Sequence, residues 1–229
     1  RLGFNNDGSE IISKRIADNQ PNGFLGINIG PNKETKNKEE DYYKCLSMLS
    51  RYAGYMTINI SSPNTEGLRN FHAEKEMSNL LIGLNKIKKN KNINQPIAIK
   101  LSPDIDNEKI SMIIELVNKN NIQGIIVSNT TDSNRENLSD TKKNEVGGLS
   151  GQPLKNISTK LIKKFYRETK GKIKIIGVGG IDSGQSAFEK IAAGADAVQL
   201  YTGMVYKGPG IVKEIKKELI SILKKENLK

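Results

Sequence analysis

Cysteine and histidine are almost absent from this chain of 229 residues. The single cysteine, Cys45, excludes an internal disulfide framework and a cysteine-based metal cluster, and it favours a reducing compartment. His72 is the only histidine, so a Ser-His-Asp triad or a multi-histidine metal site would have to be built around it. We therefore expect no metal site. His72 has no evident partner in the sequence, and we expect it to be exposed to solvent.

Long apolar runs are also missing. No stretch approaches the roughly 18–20 consecutive apolar residues of a membrane-spanning helix, and no apolar signal-peptide core is present. The apolar residues, at 36% with 21 glycines in addition, are nevertheless as frequent as in ordinary folded domains. We expect one folded domain with no membrane span. Because the chain starts at Arg1, directly before a structured-looking segment, we also expect it to be a piece of a longer protein.

Positive charge is abundant, with 36 lysines and arginines against 25 acidic residues and a net charge of +11. Such an excess of positive charge suggests nucleic acid or an anionic membrane as a possible partner. Thirty of the 36 are lysines, and they occur with many asparagines and isoleucines. We favour an AT-rich coding sequence as the origin of this skew over a binding surface, and we expect no nucleic-acid partner.

Short apolar runs rich in β-branched residues alternate with longer segments of helical period. The predicted strands are 24–29, 55–60, 97–101, 122–127, 173–178 and 197–201. The predicted helices are 38–51, 73–91, 107–120, 158–169, 183–193 and 209–226. Because the strand runs are apolar almost throughout, they are typical of parallel strands buried on both faces. We expect Asp106 and Ser183 to cap helices, Gly171 and Gly194 to end them, and residues 132–151 to form a functional or disordered loop.

Six strand-helix units predict an α/β fold of repeated βαβ type, which leaves two architectures open. One is an open, doubly wound sheet, and the other is a (β/α)8 TIM barrel with about six of its eight units in this chain. Polar or glycine residues follow every predicted strand. A barrel assembles its site from many strand ends, whereas an open sheet concentrates it at one switch point. The even distribution favours the barrel.

The residues at these strand ends are amides, hydroxyls, glycines and one lysine, without paired carboxylates. This disfavours glycosidase chemistry and metal-assisted hydrolysis. Gly179-Gly180 and Ser183-Gly184 offer backbone N–H groups to a phosphate, although a glycine pair is equally an ordinary turn. Lys100 at the end of a buried strand needs an anionic partner or a lowered pKa, unless it extends to solvent. Four asparagines could read a planar ureide or imide ring or could be turn residues, namely Asn28, Asn59, Asn64 and Asn129.

Several motifs together resemble the dihydroorotate dehydrogenase family. They are Arg1-Leu-Gly-Phe-Asn-Asn6, Asn59-Ile-Ser-Ser-Pro-Asn-Thr-Glu-Gly-Leu-Arg69, Lys100-Leu-Ser-Pro-Asp104, Ser128-Asn-Thr-Thr131, Gly147-Gly-Leu-Ser-Gly151, Gly177-Val-Gly-Gly-Ile-Asp-Ser-Gly184, Gly194-Ala195 and Gln199-Leu-Tyr-Thr202. The resemblance covers the whole chain in order. Ser62 and the loop ending at Gly151 resemble class 2, the quinone-dependent, membrane-associated branch, because class 1 enzymes carry a cysteine in place of the serine. Cys45 lies on a predicted helix before that strand and cannot take this role.

The resemblance implies an enzyme with flavin mononucleotide (FMN) that oxidises dihydroorotate to orotate in pyrimidine biosynthesis and passes electrons to ubiquinone. It implies that Ser62 is the base for the C5 proton and that Lys100 lies at the N1/O2 edge of the flavin. The implied substrate residues are Asn5, Asn6, Asn59, Asn64, Asn129 and Thr130. The implied flavin residues are Asn28, Asn59, Lys100, Ser128, Gly151, Gly179, Gly180, Tyr201 and Thr202. Residues 66–70 would form a flexible loop over the substrate, and 132–151 would flank the site.

Two parts of the family pattern have no counterpart in residues 1–229, which would form a partial FMN-binding barrel. One comprises the first two barrel strands, and the other is the N-terminal helical region that docks on the inner membrane, bacterial or mitochondrial. We expect the isolated chain to be poorly soluble or inactive, because an unpaired sheet edge would be exposed. The alternatives are a class 1 enzyme, the related dihydropyrimidine dehydrogenase, or a nucleic-acid module using the lysine-rich tail 211–229. We favour a solvated helix packed on the barrel for that tail.

Overall fold

A computed structural model describes residues 4–133 and 135–227, which divide into two compact units. The first unit contains the chain up to residue 100 together with 106–124, and the second contains 101–105 and the chain from residue 125 onward. Residues 1–3 of the opening family-like motif and the last two residues of the tail lie outside the described part.

Strands and helices alternate along the described chain. The strands are β1 (Gly26–Ile29), β2 (Tyr55–Asn59), β3 (Ile97–Leu101), β4 (Gly124–Val127), β5 (Lys174–Val178) and β6 (Ala197–Gln199). The helices are α1 (Ser9–Asp18), α2 (Lys38–Leu49), α3 (Glu74–Lys91), α4 (Lys109–Lys119), α5 (Lys155–Thr169), α6 (Gly184–Ala192), α7 (Thr202–Lys207) and α8 (Ile211–Lys225). Each strand is followed by at least one helix, which confirms the six predicted strand-helix units.

Parallel pairing in the first unit sorts the residues of β1, β2 and β3 onto two faces. Thr57 lies beside Asn28 on one side and Ala98 on the other, and Asn59 lies beside Lys100. Since alternate residues of a strand point to opposite faces, one face of this ladder is polar. The other face is apolar and carries Ile27, Ile29, Met56, Ile58, Ile97 and Ile99, all of them buried.

The second unit pairs β5 with β6 in parallel, with Gly177 beside Val198. The first residue after β4, Ser128, donates its N–H to the carbonyl of Val178 on β5 at 3.1 Å. On the helical side, a small apolar cluster joins α6 and α8 and consists of Ile181, Ala187, Ile211 and Ile215, with Val198 and Leu200 against it. Side chains of this size contribute about 1.5–3 kcal/mol each when fully buried, which suffices to dock α8.

Burial on both faces is confirmed for β2, β3 and β4 and is wrong for the other strands. In β1 only Ile27 and Ile29 are buried, and β5 alternates in the same way. No residue of β6 is fully buried. Phe24, predicted to begin the first strand, is 80% exposed and stacks on Tyr55 instead. The apolar runs in the sequence therefore predicted more burial for these three strands than the structure shows.

The helix predictions differ from the structure at the two ends of the described chain. The helix α1 was not predicted, and the predicted 209–226 helix begins only at Ile211, after the separate short helix α7. Asp106 does not cap α4, whose N-cap is Glu108. Ser183 does cap α6, because its hydroxyl accepts the N–H of Ser186 in a reciprocal capping box. In the described residues, no helix is long and apolar enough to cross a membrane.

Candidate active-site residues

The polar face of the first unit brings several predicted site residues onto neighbouring strands. Asn59 ends β2 and pairs in register with Lys100 of β3, while Asn28 of β1 lies on the same face. Asn59 is buried, and its backbone carbonyl accepts the Tyr42 hydroxyl at 2.6 Å. An amide and an amine therefore stand side by side at the carboxyl ends of β2 and β3.

Lys100 is a partly buried cation. Burial lowers the pKa of its ammonium group, since desolvation disfavours the charged form. Among the described residues, no carboxylate forms an ion pair with Lys100 and no hydrogen bond to its amine is present. The lowered pKa agrees with one of the three predicted alternatives, and the positive charge stays available to an anionic ligand.

The turn after β2 is tied together by its own side chains. Asn59 Oδ1 accepts the N–H of Ser61 at 3.3 Å and its hydroxyl at 3.1 Å. Ser62 Oγ accepts the N–H of Asn64 at 3.2 Å, and Arg69 Nε donates to the Ser61 carbonyl at 3.4 Å. Ser61 and Ser62 are both buried. The hydroxyl of the predicted base thus accepts a backbone hydrogen bond and has little solvent around it.

The segment 66–70 is partly anchored. Leu68–His72 forms a 3₁₀ turn in which Leu68 and Phe71 are buried, and the Phe71 ring packs edge-on against Tyr42. The predicted flexibility of this loop over a substrate stays a prediction.

His72 is 6% exposed, so the expectation of solvent exposure was wrong. His72 is the last residue of this 3₁₀ segment, directly after the buried Phe71. Burial lowers the pKa of His72 to about 4, and the charges of Arg69 and Lys109 lower it further in the same direction. The ring is therefore neutral at physiological pH.

We predict that His72 makes the protein less stable in mild acid. Its pKa is 6.5 in the unfolded chain and about 4 in the folded one, so between these values the unfolded state binds more protons. The free energy of unfolding should fall by about 2 kcal/mol between pH 7 and pH 5 on this account alone. Urea unfolding at both pH values checks it. In His72→Gln this part of the pH dependence should vanish, and an unchanged slope would contradict the assignment.

In the second unit, the residues after β4 form a short, fixed segment. The N–H of Asn129 donates to the Leu101 carbonyl at 2.8 Å, and Asn129 Oδ1 accepts the N–H of Thr130 at 2.8 Å. Ser128 is buried. Asn129 and Thr130, predicted to bind substrate, are therefore positioned by a backbone hydrogen bond to Leu101 and by each other.

Asp104 is a residue that the motif contained but whose role was not predicted. Its carboxylate accepts the hydroxyl of the fully buried Thr131 at 2.5 Å and the N–H of Asp132 at 3.4 Å. Thr131 also forms an antiparallel bridge with Leu149. Asp104 thereby fixes the end of the segment that carries Asn129 and Thr130.

Replacing Asp104 by alanine should lower the free energy of unfolding by about 1–3 kcal/mol, because the buried Thr131 hydroxyl would lose its acceptor. The matched control is Asp106→Ala. Asp106 is exposed, and its one ion pair within the described part of the chain is with Lys109 at 3.2 Å, so its loss should cost less than about 1 kcal/mol. Chemical denaturation of both variants checks the difference. Equal effects would show that the Asp104–Thr131 contact contributes nothing specific.

Three of the predicted cofactor residues are glycines whose backbone conformation or surroundings disfavour a side chain. Gly179 and Gly180 both have positive φ, at 119° and 70°, and a Cβ on Gly180 would lie 2.8 Å from the Lys155 nitrogen. Gly151, with φ 77°, lies against Thr202, whose hydroxyl donates to Ser150 Oγ at 3.0 Å. A side chain is therefore strained or blocked at all three glycines, which suits a close approach of backbone to a ligand.

The predicted anion site at Ser183-Gly184 is already occupied. The N–H of Gly184 donates to the Glu218 carboxylate of α8 at 2.5 Å, and the N–H of Ser183 donates to Ser186 Oγ at 3.0 Å. This half of the phosphate prediction was wrong because the protein supplies its own anion to the start of α6. The N–H of Gly180, by contrast, forms no hydrogen bond within the described residues.

Lys190 is a further residue that the sequence prediction missed. It is completely buried, and its ammonium group donates to the Lys155 carbonyl and to the hydroxyls of Ser158 and Thr159. A usable signal was present in the sequence, because Lys190 follows Ala187 by three positions and so lies on the apolar stripe of α6.

The loop 132–151 is folded around Arg135. This guanidinium donates to the carbonyls of Asp132, Lys143 and Glu145 at 2.9–3.3 Å and also to that of Gly147. Its planar fork is suited to several acceptors at once. The loop is irregular in the described residues, as predicted.

Other predicted site residues lie on the surface. Asn5 and Asn6 are exposed, and Asn6 bonds locally to Phe4 and Gly8. Tyr201, directly before α7, is 74% exposed. In residues 4–133 and 135–227, no group of three or more His, Cys, Asp or Glu side chains is arranged to hold a metal ion.

Comparison with known proteins identifies the family. The family model described as dihydroorotate dehydrogenase matches residues 1–223. A relative from Idiomarina loihiensis named dihydroorotate dehydrogenase (quinone) is 42% identical over 94% of this chain and 66% of its own length. A relative of the same name from Vibrio parahaemolyticus is 43% identical over 96% of this chain and 67% of its own length. The chain spans about two thirds of the length of these curated relatives.

Solved structures agree with the sequence relatives. A crystal structure of DHODH from Eimeria tenella in complex with ferulenol has a TM-score of 0.93 and 33% identity, covering 99% of this chain and 67% of that chain. The ligand-free structure from the same organism has a TM-score of 0.92 and 34% identity, covering 99% and 69%. The predicted TIM-barrel fold class, with six strand-helix units in this chain, is confirmed. The chain belongs to the dihydroorotate dehydrogenase family.

Proposed function

We propose that this chain is the larger part of the catalytic domain of a quinone-dependent dihydroorotate dehydrogenase, an oxidoreductase of pyrimidine biosynthesis. The names of the relatives support this proposal, since three relatives at 42–43% identity are named dihydroorotate dehydrogenase (quinone). The serine at position 62 also supports class 2 over class 1. We propose further that the two N-terminal barrel strands and the membrane-docking helical region belong to the same protein.

The observation that carries the proposal is the uncompensated Lys100 cation beside Asn59. Its pKa is lowered by burial, and the adjacent turn holds the Ser62 hydroxyl among buried groups. A cation in such a position stabilises negative charge that develops during a reaction far better than one in water. Ser62 could therefore remove a proton while Lys100 stabilises the negative charge that forms nearby. Dihydroorotate oxidation requires both.

Ser62 is proposed to accept the C5 proton of dihydroorotate. Serine is a weak base, so this step requires a proton path by which Ser62 passes its own hydroxyl proton on to water as the C5 proton arrives. The N–H of Asn64 donates to this oxygen, and such a donor stabilises the negative charge that the oxygen would acquire. Asn5, Asn6, Asn59, Asn64, Asn129 and Thr130 are proposed to hold the pyrimidine ring and its carboxylate.

FMN is the proposed cofactor, and when bound it supplies the acceptor for the hydride from C6. The residues present fit it in two respects. Lys100 would place positive charge at its N1/O2 edge, and the N–H of Gly180, which has no acceptor among the described residues, would donate a hydrogen bond to its phosphate. The other proposed contacts are Asn28, Asn59, Ser128, Gly151, Gly179, Tyr201 and Thr202.

Ubiquinone or a related quinone is the proposed electron acceptor, and the proposed location is peripheral on the inner membrane. The positive charge of α8 does not favour a nucleic-acid module instead. Its apolar residues Ile211 and Ile215 pack on α6, and its lysines face solvent. This arrangement is the solvated helix that the sequence predicted.

An acceptor assay on the full-length protein tests the proposal. Dihydroorotate should be oxidised with a quinone and not with NAD or fumarate. Activity with NAD or fumarate alone would indicate a class 1 enzyme, and activity on dihydropyrimidines alone would indicate the related dehydrogenase. Binding to DNA or RNA that weakens with salt near physiological ionic strength would instead support the nucleic-acid alternative.

A further inference from the structure

The ammonium group of Lys190 lies in the interior of the second unit with neutral partners only. It donates to the Lys155 carbonyl at 2.7 Å and to Ser158 Oγ and Thr159 Oγ1 at 2.6 Å each. All three ammonium protons are thereby used. The nearby carboxylate of Glu189 pairs with Lys155 Nζ at 3.0 Å, and no carboxylate in residues 4–133 or 135–227 forms an ion pair with Lys190.

The protons of the two hydroxyls can be assigned from these contacts. Thr159 Oγ1 donates to the Lys155 carbonyl at 2.7 Å, and this carbonyl also accepts from Lys190. Both lone pairs of the carbonyl oxygen are then occupied. The Ser158 hydroxyl lies 3.3 Å from this same carbonyl and 3.4 Å from the Gly179 carbonyl. Because Thr159 and Lys190 already donate to the Lys155 carbonyl, we assign the Ser158 proton to the Gly179 carbonyl.

The Gly179 carbonyl belongs to the same peptide unit as the N–H of Gly180. In a trans peptide these two groups point in opposite directions. With its oxygen turned toward Ser158, the peptide presents its N–H on the other side, where no described residue accepts it. Hydrogen bonds in a chain polarise one another, so a cation at one end strengthens the donor at the other.

We infer that Lys190, acting through Ser158, orients and polarises the Gly179–Gly180 peptide so that its N–H binds the phosphate of the flavin cofactor. Lys190 is thus a positioning residue that makes the site select a phosphorylated flavin. The inference rests on the proposed function, because it requires that this chain bind FMN.

The electrostatics of the group agree with this role. Burial lowers the pKa of Lys190 to about 8, the charge of Lys155 lowers it further, and that of Glu189 opposes the shift. A buried cation without a paired carboxylate is costly to the free protein. A phosphate on the other side of the Gly179–Gly180 peptide would offset part of that cost.

The test compares FMN with riboflavin, which lacks the phosphate, in titrations of the flavin-free full-length protein followed by flavin fluorescence. In Lys190→Met the dissociation constant for FMN should rise by about 10- to 100-fold, because the charge that orients and strengthens the Gly180 donor is lost. That for riboflavin should change less than about threefold, because it makes no phosphate contact. Ser158→Ala keeps the charge and breaks the relay, and it should weaken FMN about 3- to 10-fold.

Lys163→Met is the matched control. It removes one positive charge from an exposed position of α5, and both flavins should bind as in the wild type. If Lys190→Met weakens FMN and riboflavin equally, or neither, the inference is overturned and the proposed function still stands. If the wild type does not prefer FMN to riboflavin, the cofactor assignment and the inference both fail. If Lys190→Met does not fold, the same comparison is made with Ser158→Ala: a larger rise in the dissociation constant for FMN than for riboflavin supports the inference, and an equal change or none overturns it.

Discussion

Ser62→Ala should reduce the rate of flavin reduction by dihydroorotate about 10²- to 10⁴-fold, the range expected when a positioned proton acceptor is lost. Flavin binding should persist, because the one hydrogen bond of Ser62 Oγ to a described residue is with the N–H of Asn64. The measurement is anaerobic stopped-flow reduction of the bound flavin at saturating dihydroorotate.

Two further variants make this result specific. Ser62→Cys restores an ionisable group at the same place, as class 1 enzymes have, and should recover part of the rate. Ser47→Ala removes a serine of α2 whose hydroxyl donates to the Tyr43 carbonyl at 2.8 Å, and it should leave flavin reduction unchanged. A Ser62→Ala protein with the wild-type rate would remove Ser62 from the mechanism.

Lys100→Met should lower the rate of flavin reduction about 10²- to 10³-fold, because a preorganised charge at the reacting centre is removed. The free energy of unfolding should stay the same or rise. The pKa of Lys100 is lowered by burial, which means that the folded protein holds this charge at a cost. In Lys100→Met the rate of flavin reduction should therefore fall without a fall in the free energy of unfolding.

Lys88→Met is the control for this pair of measurements. Lys88 is also partly buried, but its ammonium donates to the Gln95 carbonyl at 2.8 Å. The variant should lose about 0.5–1.5 kcal/mol of stability with no change in flavin reduction. A large destabilisation by Lys100→Met, with its activity per folded molecule intact, would show that Lys100 is structural.

The sequence predicted the fold well where a feature depends on burial or on hydrogen bonds between neighbouring residues. The strand 97–101 has the predicted bounds, since β3 is covered on both faces and every one of its residues but Lys100 is buried. Ser183 was identified as a cap for the same reason, because its hydroxyl must satisfy a helix N-terminus. Local chemistry dictates both features.

The errors arose where contacts between residues distant in sequence determine burial or hydrogen bonding. The burial of His72 depends on packing in the first unit, and the occupied start of α6 depends on Glu218, 34 positions further on. No local pattern reports either contact. Lys190 was missed because a lysine is ordinarily assigned to a solvated face, although its helical position placed it inside.

The candidate site was predictable mainly from motifs. Asn59 and Lys100 were chosen by motif and strand position, and the register of β2 with β3 confirms that they are neighbours. The residues that support such groups were less visible, because Asp104 acts through Thr131 and Lys190 through Ser158. These contacts require coordinates, since the sequence does not show which carbonyl or hydroxyl a side chain will reach.

The most direct test of the account is to mix the full-length protein anaerobically with dihydroorotate in the absence of any acceptor. The protein should carry one FMN per chain, dihydroorotate should bleach its oxidised absorbance in a single turnover with one orotate formed, and added quinone should restore it. A protein that binds no flavin, or whose flavin dihydroorotate leaves oxidised, would contradict the proposed function.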